Sequence, residues 1–444
     1  MFTLLNVVVF FLLTGYAFKL MFSNPSYVKL SKTEKVLLSG REKFLLLTMV
    51  SGMVMVGVDL GINLSALRLM VWIGMILLAF VLYTKSPKLS GVFIPYILFL
   101  LWLALSLAWT VDIGYGIRAY LKYIYPFLIM LFAATFVRSR DFIYVAMRWM
   151  IFTSFIYSLF LGGFMTHVLG IWSFYANGLF WPMSTLADYL GIMSGLSFLM
   201  WWRTGEKKYF LLIGWFFLSA VFQSVRTGLL AILIVSMVAF YIRYRLKALP
   251  FIAGIFLIAL VSVLFIPQVR DKMFYDPSAV NTINDLETVN TTQIDSNGRF
   301  AMWEWTLNRL YEPNPLVGSG IGMTQYTFYE INHPFYPIRV IHNDYVQMLA
   351  DNGEIALFLY AFFVLIAIFV AFRNTTNKTP EYLLNTSFLV ITSFTATSVA
   401  MMTDNVVLYV LAVFSYPFIF LGIMIAYHNI HKAELSAQNT EGTQ

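Results

Sequence analysis

Three stretches of the sequence set chemically capable residues beside apolar runs. "SVRTGLLA" (224–231) places Arg226 at a tight turn between two short apolar segments. "SNGRFAMWEW" (296–305) places Arg299 just inside an expected helix start, behind Asn297 and Gly298. "VIHNDYVQMLADNG" (340–353) places His342 ahead of the long apolar run that follows Glu354. A charge at membrane depth costs about 2.5–3.5 kcal/mol on the lenient insertion scale, and the cost falls where the group faces a water-filled cavity or an anionic ligand. For Arg226 the plain alternative is an arginine that snorkels to headgroups. For Arg299 it is a surface ion pair with Glu304, and for a lone histidine it is an imidazole solvated at the interface. The histidine segment is expected to be helical from about Ile338, since Pro337 suits a helix start. Arg339 and His342, three residues apart, would then share one face, and the same helix would run on into the bilayer as a rigid mount.

The elements that must position these residues are set by composition. Of 444 residues, 60% are hydrophobic and 11% charged, whereas a soluble protein of this length carries about a quarter charged residues. Aromatics make up 18%, which suits interfacial belts as well as helix packing. The composition is that of an all-α polytopic integral membrane protein. There is no cysteine, which excludes a disulfide framework, a thiolate metal site and a thiol nucleophile. No paired carboxylates of the Asp-x-Asp kind stand out for a divalent metal. With a span needing about 20 apolar residues, the sequence predicts membrane helices near 2–22, 44–62, 67–83, 91–109, 118–136, 142–162, 183–202, 208–224, 227–242, 248–267, 354–372, 381–400 and 406–427. That is 12 or 13 spans, depending on how the short pair 208–224 and 227–242 is counted.

Lys and Arg orient these spans. With the N-terminus outside, the cytoplasmic segments collect Lys19, Lys29, Lys32, Lys35, Arg41 and Lys43, then Lys85 and Lys88, then Arg138, Arg140 and Arg148. They continue with Arg203, Lys207 and Lys208, with Arg243, Arg245 and Lys247, with Arg373 and Lys378, and with Lys432. The formal charge of +7 is therefore a topology signal and does not imply a nucleic-acid partner. The first span lacks a basic region ahead of it and reads as an anchor helix rather than a cleaved signal. The organisation is membrane helices over 1–267, a large external segment over 268–353, further membrane helices over 354–428, and a cytoplasmic tail over 429–444 whose polar end is expected to be disordered. The external segment is net acidic despite Arg270, Lys272, Arg299, Arg309 and Arg339, so each arginine in it needs its own explanation. Arg118 and Lys122 open the fifth span on the external side, where they attract phosphates or mark the interface. Asp404, in "MMTDNVV" (401–407), lies at an external turn and either orients a catalytic group or caps the last helix.

Taken in order, these motifs resemble those of the O-antigen ligase and Wzy-type polysaccharide polymerase superfamily. The resemblance rests on Arg-Thr-Gly at a membrane turn, "GRFAMW" (298–303) in the large loop, the glycine run "PLVGSGIG" (315–322), and "HNDYVQMLADNG" before the next span. It covers about 224–357. The chain departs from the family pattern at "GEIA", where Ala356 replaces a second glycine. It also departs in carrying a leading helix beyond the usual twelve spans. The resemblance implies a GT-C-like, metal-independent inverting glycosyltransferase without a cofactor, at the periplasmic face of the bacterial inner membrane. Its donor would be a glycan on undecaprenyl pyrophosphate, and its acceptor a sugar hydroxyl on a lipid-linked repeat unit (polymerase) or on lipid A–core (ligase). Membrane lipids and a chain-length regulator are the further partners it implies.

The residue chemistry suits that reaction. Guanidinium groups bind phosphate oxygens bidentately and stay charged, so Arg226 and Arg299 are candidates to clamp the pyrophosphate leaving group. Imidazoles titrate near working pH, so His342 is a candidate base for the acceptor hydroxyl, or else a phosphate ligand. Arg339, Asp404, Arg118 and Lys122 are the further substrate-binding candidates. A flippase of lipid-linked sugars is the competing class. It would place polar groups near the membrane midplane, whereas here they gather at the external face.

Overall fold

The computed structural model describes residues 2–30, 34–54, 64–84, 86–161, 183–223, 225–265, 274, 296–376 and 379–441. The chain folds as membrane-length helices with one small β-ribbon. Helices α1 (Phe2–Met21), α2 (Gly40–Val50), α3 (Leu64–Tyr83), α4 (Ile94–Ser106), α5 (Ile113–Phe136) and α6 (Phe142–Leu161) form the first part. Strands β1 (Ser26–Lys29) and β2 (Lys35–Leu38) pair antiparallel between α1 and α2. Helices α7 (Met183–Thr204), α8 (Lys207–Phe222), α9 (Arg226–Tyr244) and α10 (Leu249–Phe265) follow. Two short helices, α11 (Arg299–Thr306) and α12 (Met323–Glu330), belong to the external segment, and α13 (Asp344–Arg373), α14 (Glu381–Met401) and α15 (Tyr416–Glu441) complete the chain. Among the described residues seven helical stretches are long and apolar enough to cross a membrane, or eight if the pair Val406–Phe414 and Tyr416–Gln438, bent by 44°, counts as one span. The architecture is that of an all-α polytopic membrane protein.

Helix α14 is the axis of the bundle. In its most apolar stretch 78% of the residues are buried, against 22% in α1 at the periphery. It packs on α7, α9, α13 and α15, while α5 lies along α15. The first turns of α5, α7, α9 and α13 and the last turn of α14 meet at one end of this bundle, which is the end expected to face outward.

Several boundaries differ from those expected. The 44–62 segment forms a helix only to Val50, where Ser51 caps it; residues 55–63 lie outside the described residues. The 91–109 segment is a single 3-10 turn, Gly91–Phe93, followed by the 13-residue α4. Helix α5 begins at Ile113 because the Asp112 side chain accepts from the Tyr115 N–H at 2.9 Å. Arg118 and Lys122 therefore lie in its second and third turns rather than at its mouth. The tail continues α15 as helix to Glu441 instead of being disordered. Its Ala, Glu, Leu and Gln are good helix formers, propagation from an existing helix adds residues cheaply, and Glu434 pairs with Arg140. The start of the external segment, including Arg270, Lys272 and 275–295, lies outside the described residues.

The largest correction concerns the mount of His342. No helix runs through 338–342: α13 starts at Asp344, and the Asn343 side chain caps it by accepting from the Tyr345 and Val346 N–H groups at 3.0 Å each. His342 itself has a left-handed backbone (φ +54°), which ends any helical path through it. Arg339 and His342 thus do not share a helix face. Nor is α13 continuous, for it breaks at Gly353 (φ +71°, ψ −173°). A Cβ there would sit 2.3 Å from the Leu316 carbonyl oxygen, so only glycine fits. The glycine run closes on this break. Glu354 N–H donates to Pro315 O at 2.9 Å and Ser319 N–H to Ala350 O at 3.0 Å. The Asp351 carboxylate accepts from the Thr324 N–H at 2.6 Å and the Gly322 N–H at 3.2 Å. The "PLVGSGIG" and "ADNG" motifs are therefore two halves of one joint.

Candidate active site

The site is assembled on a single three-residue segment, Thr403–Asn405, between α14 and α15. Three of the four motifs named from the sequence reach it, and the fourth, the glycine run, braces α13 instead. On α9, Arg226 is the first helical residue, and the next hydroxyl, Thr227 Oγ1, hydrogen-bonds Thr403 Oγ1. Gly228 lets this turn lie against α7: a Cβ at 228 would fall 2.4 Å from that of Ala187. Small residues allow such close helix approach in membranes, which explains why Arg, Thr and Gly appear in that order.

Arg299 occupies the first position of α11, behind Gly298 with φ +75°, as expected. Its partner differs from the surface pairing with Glu304: Nη1 donates to the Thr403 carbonyl oxygen at 2.5 Å. Trp303, one turn on, donates Nε1–H to Ile341 O at 2.8 Å. Met302, Phe328 and Ile341 form a buried apolar cluster beneath it. The tryptophan of "GRFAMW" thus ties Arg299's helix to the residue before His342.

His342 faces the same segment with both backbone and ring. Its N–H donates to Asn405 Oδ1 at 2.7 Å, and its Nδ1 lies 3.3 Å from Asp404 Oδ1. The ring is partly exposed, 30%, whereas the Asp404 side chain is 5% exposed. Asp404 Oδ1 also accepts the Asn405 N–H at 2.7 Å. Since Asn405, not Asp404, precedes the 3-10 turn that opens at Val406, the capping alternative for Asp404 gives way to contact with His342.

Charges converge here as well. Burial pulls the Arg299 guanidinium below its usual range; Asp404 counters this, Arg226 adds to it by like-charge repulsion, and Asp188 counters it again. Arg226 and Arg299 are thus electrostatic neighbours, as their separate motifs suggested. Among the described residues no three His, Cys, Asp or Glu side chains are grouped as metal ligands would be.

Two features were not read from the sequence. Asp188, in "STLADYLG" within the first two turns of α7, has no solvent exposure. Among the described residues neither carboxylate oxygen has a hydrogen bond of ordinary length, but the group faces the Asp404 carboxylate, with Arg299 a further charged neighbour. An aspartate inside a predicted span was the available signal, because intramembrane ionisable residues are costly and commonly functional. The second feature is Asp344, 1% exposed, which accepts the Val407 N–H at 3.1 Å and so fixes the start of α13 against the segment after Asn405.

The other expected substrate contacts lie apart from this group. Arg339 is exposed and stacks over Tyr329 at 5.3 Å. Arg118 is exposed over Tyr115 at 5.0 Å, and Lys122 lies one turn further along α5.

Residues 211–361 match the family model Wzy_C, described as O-Antigen ligase. Over this range the chain is similar to the O-antigen ligase family domain. That range includes Arg226, Arg299, Arg339 and His342, while Asp188, Arg118 and Lys122, on helices, and Asp404, between α14 and α15, lie outside it. The match supports a ligase- or polymerase-type membrane enzyme in general terms. No curated protein matches the chain.

Proposed function

We propose that the chain is an inverting, metal-independent glycosyltransferase. It would move a glycan from undecaprenyl pyrophosphate onto a sugar hydroxyl at the periplasmic face of the inner membrane. The reading is supported by the contacts of Arg299, of His342 and of Thr227, the residue next to Arg226, with Thr403–Asn405. With Nδ1–H directed at Asp404, the Nε2 lone pair of His342 is free to take the acceptor's proton, the arrangement by which a carboxylate orients a histidine base. A contact of 3.3 Å is of the length expected before substrate tightens it. The acceptor oxygen attacks the anomeric carbon, and the carbon–oxygen bond to the pyrophosphate breaks. The bonding pair leaves with the phosphate, where Arg226 and Arg299 neutralise the growing charge in a preorganised site. One displacement inverts the anomeric centre.

A lipid-linked repeat unit as acceptor makes the enzyme a polymerase, the reading adopted here; lipid A–core makes it a ligase, which the description of the matched family favours. Reconstitution with a defined undecaprenyl-linked donor and both acceptors in competition decides between them. Product only on the lipid-linked unit supports the polymerase, product only on lipid A–core the ligase, and no product with either acceptor removes the transferase reading.

A further inference from the structure

A second group of cations stands beside the first, with carboxylates near it: Asp344 acts electrostatically on Lys122, and Glu330 accepts from the Tyr115 hydroxyl beneath Arg118 at 2.7 Å. Arg118 and Lys122 are one turn apart on α5, and Arg339 comes from the strand of chain leading to His342. Two aromatic stacks bring them together: Arg118 lies over Tyr115, Arg339 over Tyr329, and the two tyrosine rings are 6.2 Å apart. Among the described residues none of the three cations makes an ion pair. The buried carboxylates nearby also hold backbone and hydroxyl donors, Asp351 those of Thr324 and Gly322 and Asp344 that of Val407.

Lys122 and Arg339 line a recess together with Thr324, Gln347, Asp351 and Asn405. Its enclosed part is only about 20 Å³, room for a water molecule. An anion would therefore sit at the mouth, among the exposed guanidinium groups, rather than in the floor. Neither Arg226, Arg299 nor His342 lines this recess. Asn405 joins the two places: its Oδ1 accepts the His342 N–H, and its Nδ2 donates to Gln347 Oε1 at 3.2 Å. His342 consequently stands between two cationic places. One is built on Thr403 and Asp404, the other on α5 and Arg339.

We propose that Arg118, Lys122 and Arg339 form a second anion site, which binds the phosphate of a lipid-anchored acceptor and presents its hydroxyl to His342. The inference rests on the transferase reading, in which the first cationic place is filled by the donor's pyrophosphate. A reaction between two membrane-anchored anionic substrates needs a separate counter-charge for each, and like charges brought into one clamp would repel. The phosphate belongs either to a pyrophosphate-linked glycan or to a phosphorylated core glycolipid; both offer the same oxygens.

The test uses the full chain in vesicles with a defined donor and, in separate arms, a pyrophosphate-linked and a core-glycolipid acceptor. Arg118→Gln, Lys122→Gln and Arg339→Gln should each raise the KM for the productive acceptor about tenfold or more, the worth of a lost charge-assisted hydrogen bond. The donor KM and the rate at saturating acceptor should hold. A rise in donor KM instead, or no change in either, overturns the proposal. A binding arm separates it from the transferase reading. The solubilised chain should retain the phosphate-bearing acceptor in preference to its dephosphorylated form, and lose that preference in Lys122→Gln and Arg339→Gln, whether or not transfer is observed. Equal competition by phosphatidylglycerol would make the site one for ordinary headgroups and would refute the acceptor assignment.

Discussion

Asp404 Oδ1 lies 3.3 Å from His342 Nδ1 and also receives the backbone N–H of Asn405. The carboxylate is thus fixed by the chain before it meets the ring, and it selects the tautomer that leaves Nε2 open. Asp404→Asn offers the ring an amide in place of a fixed acceptor and should lower kcat by about 10²-fold. His342→Ala should do at least as much. The acceptor KM should change little in either variant. Steady-state kinetics on membrane-inserted protein measure this; a variant at either position with wild-type kcat would remove the base assignment.

The paired arginines make a different prediction. Arg299 has one N–H committed to Thr403 O, which aims the rest of its fork, and Arg226 stands close enough to repel it. Two cations held together in this way gain most when an anion lies between them. Arg226→Ala and Arg299→Ala should each cost about 10²–10³-fold in transfer. Lysine at either position should restore only part of it, because an ammonium keeps the charge but loses the planar fork. EDTA should leave transfer intact; dependence of turnover on a divalent ion would overturn the arginine clamp.

The sequence made the membrane class and the order of the motifs legible, because each is carried by composition or by local residue patterns. Helix α11 and the short pair α8 and α9 appeared close to where apolar periodicity placed them. The approach to His342 was misread for a physical reason: Pro337 and the run after it satisfy local helix rules, whereas the observed bend is set by Asn405, some 60 residues on, accepting the His342 N–H. The break at Gly353 was likewise hidden, since it depends on carbonyls from the glycine run. Asp188 is marked in the sequence only by being an aspartate inside a predicted span, and nothing local names its partners. Its neighbours arrive from α11 and from the segment after α14.

The joint at Gly353 should be intolerant of any side chain. Gly353→Ala would combine a left-handed backbone, costing about 1–3 kcal/mol, with a Cβ inside contact distance of Leu316 O. Thermal unfolding in detergent should show a clear drop in Tm. Transfer should fall with it, because the Asp351–Thr324 contact joins the glycine run to α13, whose first residue, Asp344, is held against the site. An unchanged Tm in Gly353→Ala would mean that the glycine run does not brace α13.

Asp188 should show the trade between stability and activity that buried polar groups at functional sites produce. It is fully buried beside Asp404 and Arg299, with no hydrogen bond of ordinary length among the described residues, so part of the fold's stability is spent on keeping a carboxyl group there. Asp188→Asn retains the shape and removes the carboxyl group. It should raise Tm by about 2–4 °C for each kcal/mol recovered, while lowering transfer because Arg299 loses one of the carboxylates that counter its burial. The sign follows from which term each measurement reads: unfolding reports the cost of the uncompensated group, turnover reports its use. Thermal unfolding and kinetics on the same preparation give both values. A variant that is less stable and equally active would show that Asp188 serves packing alone.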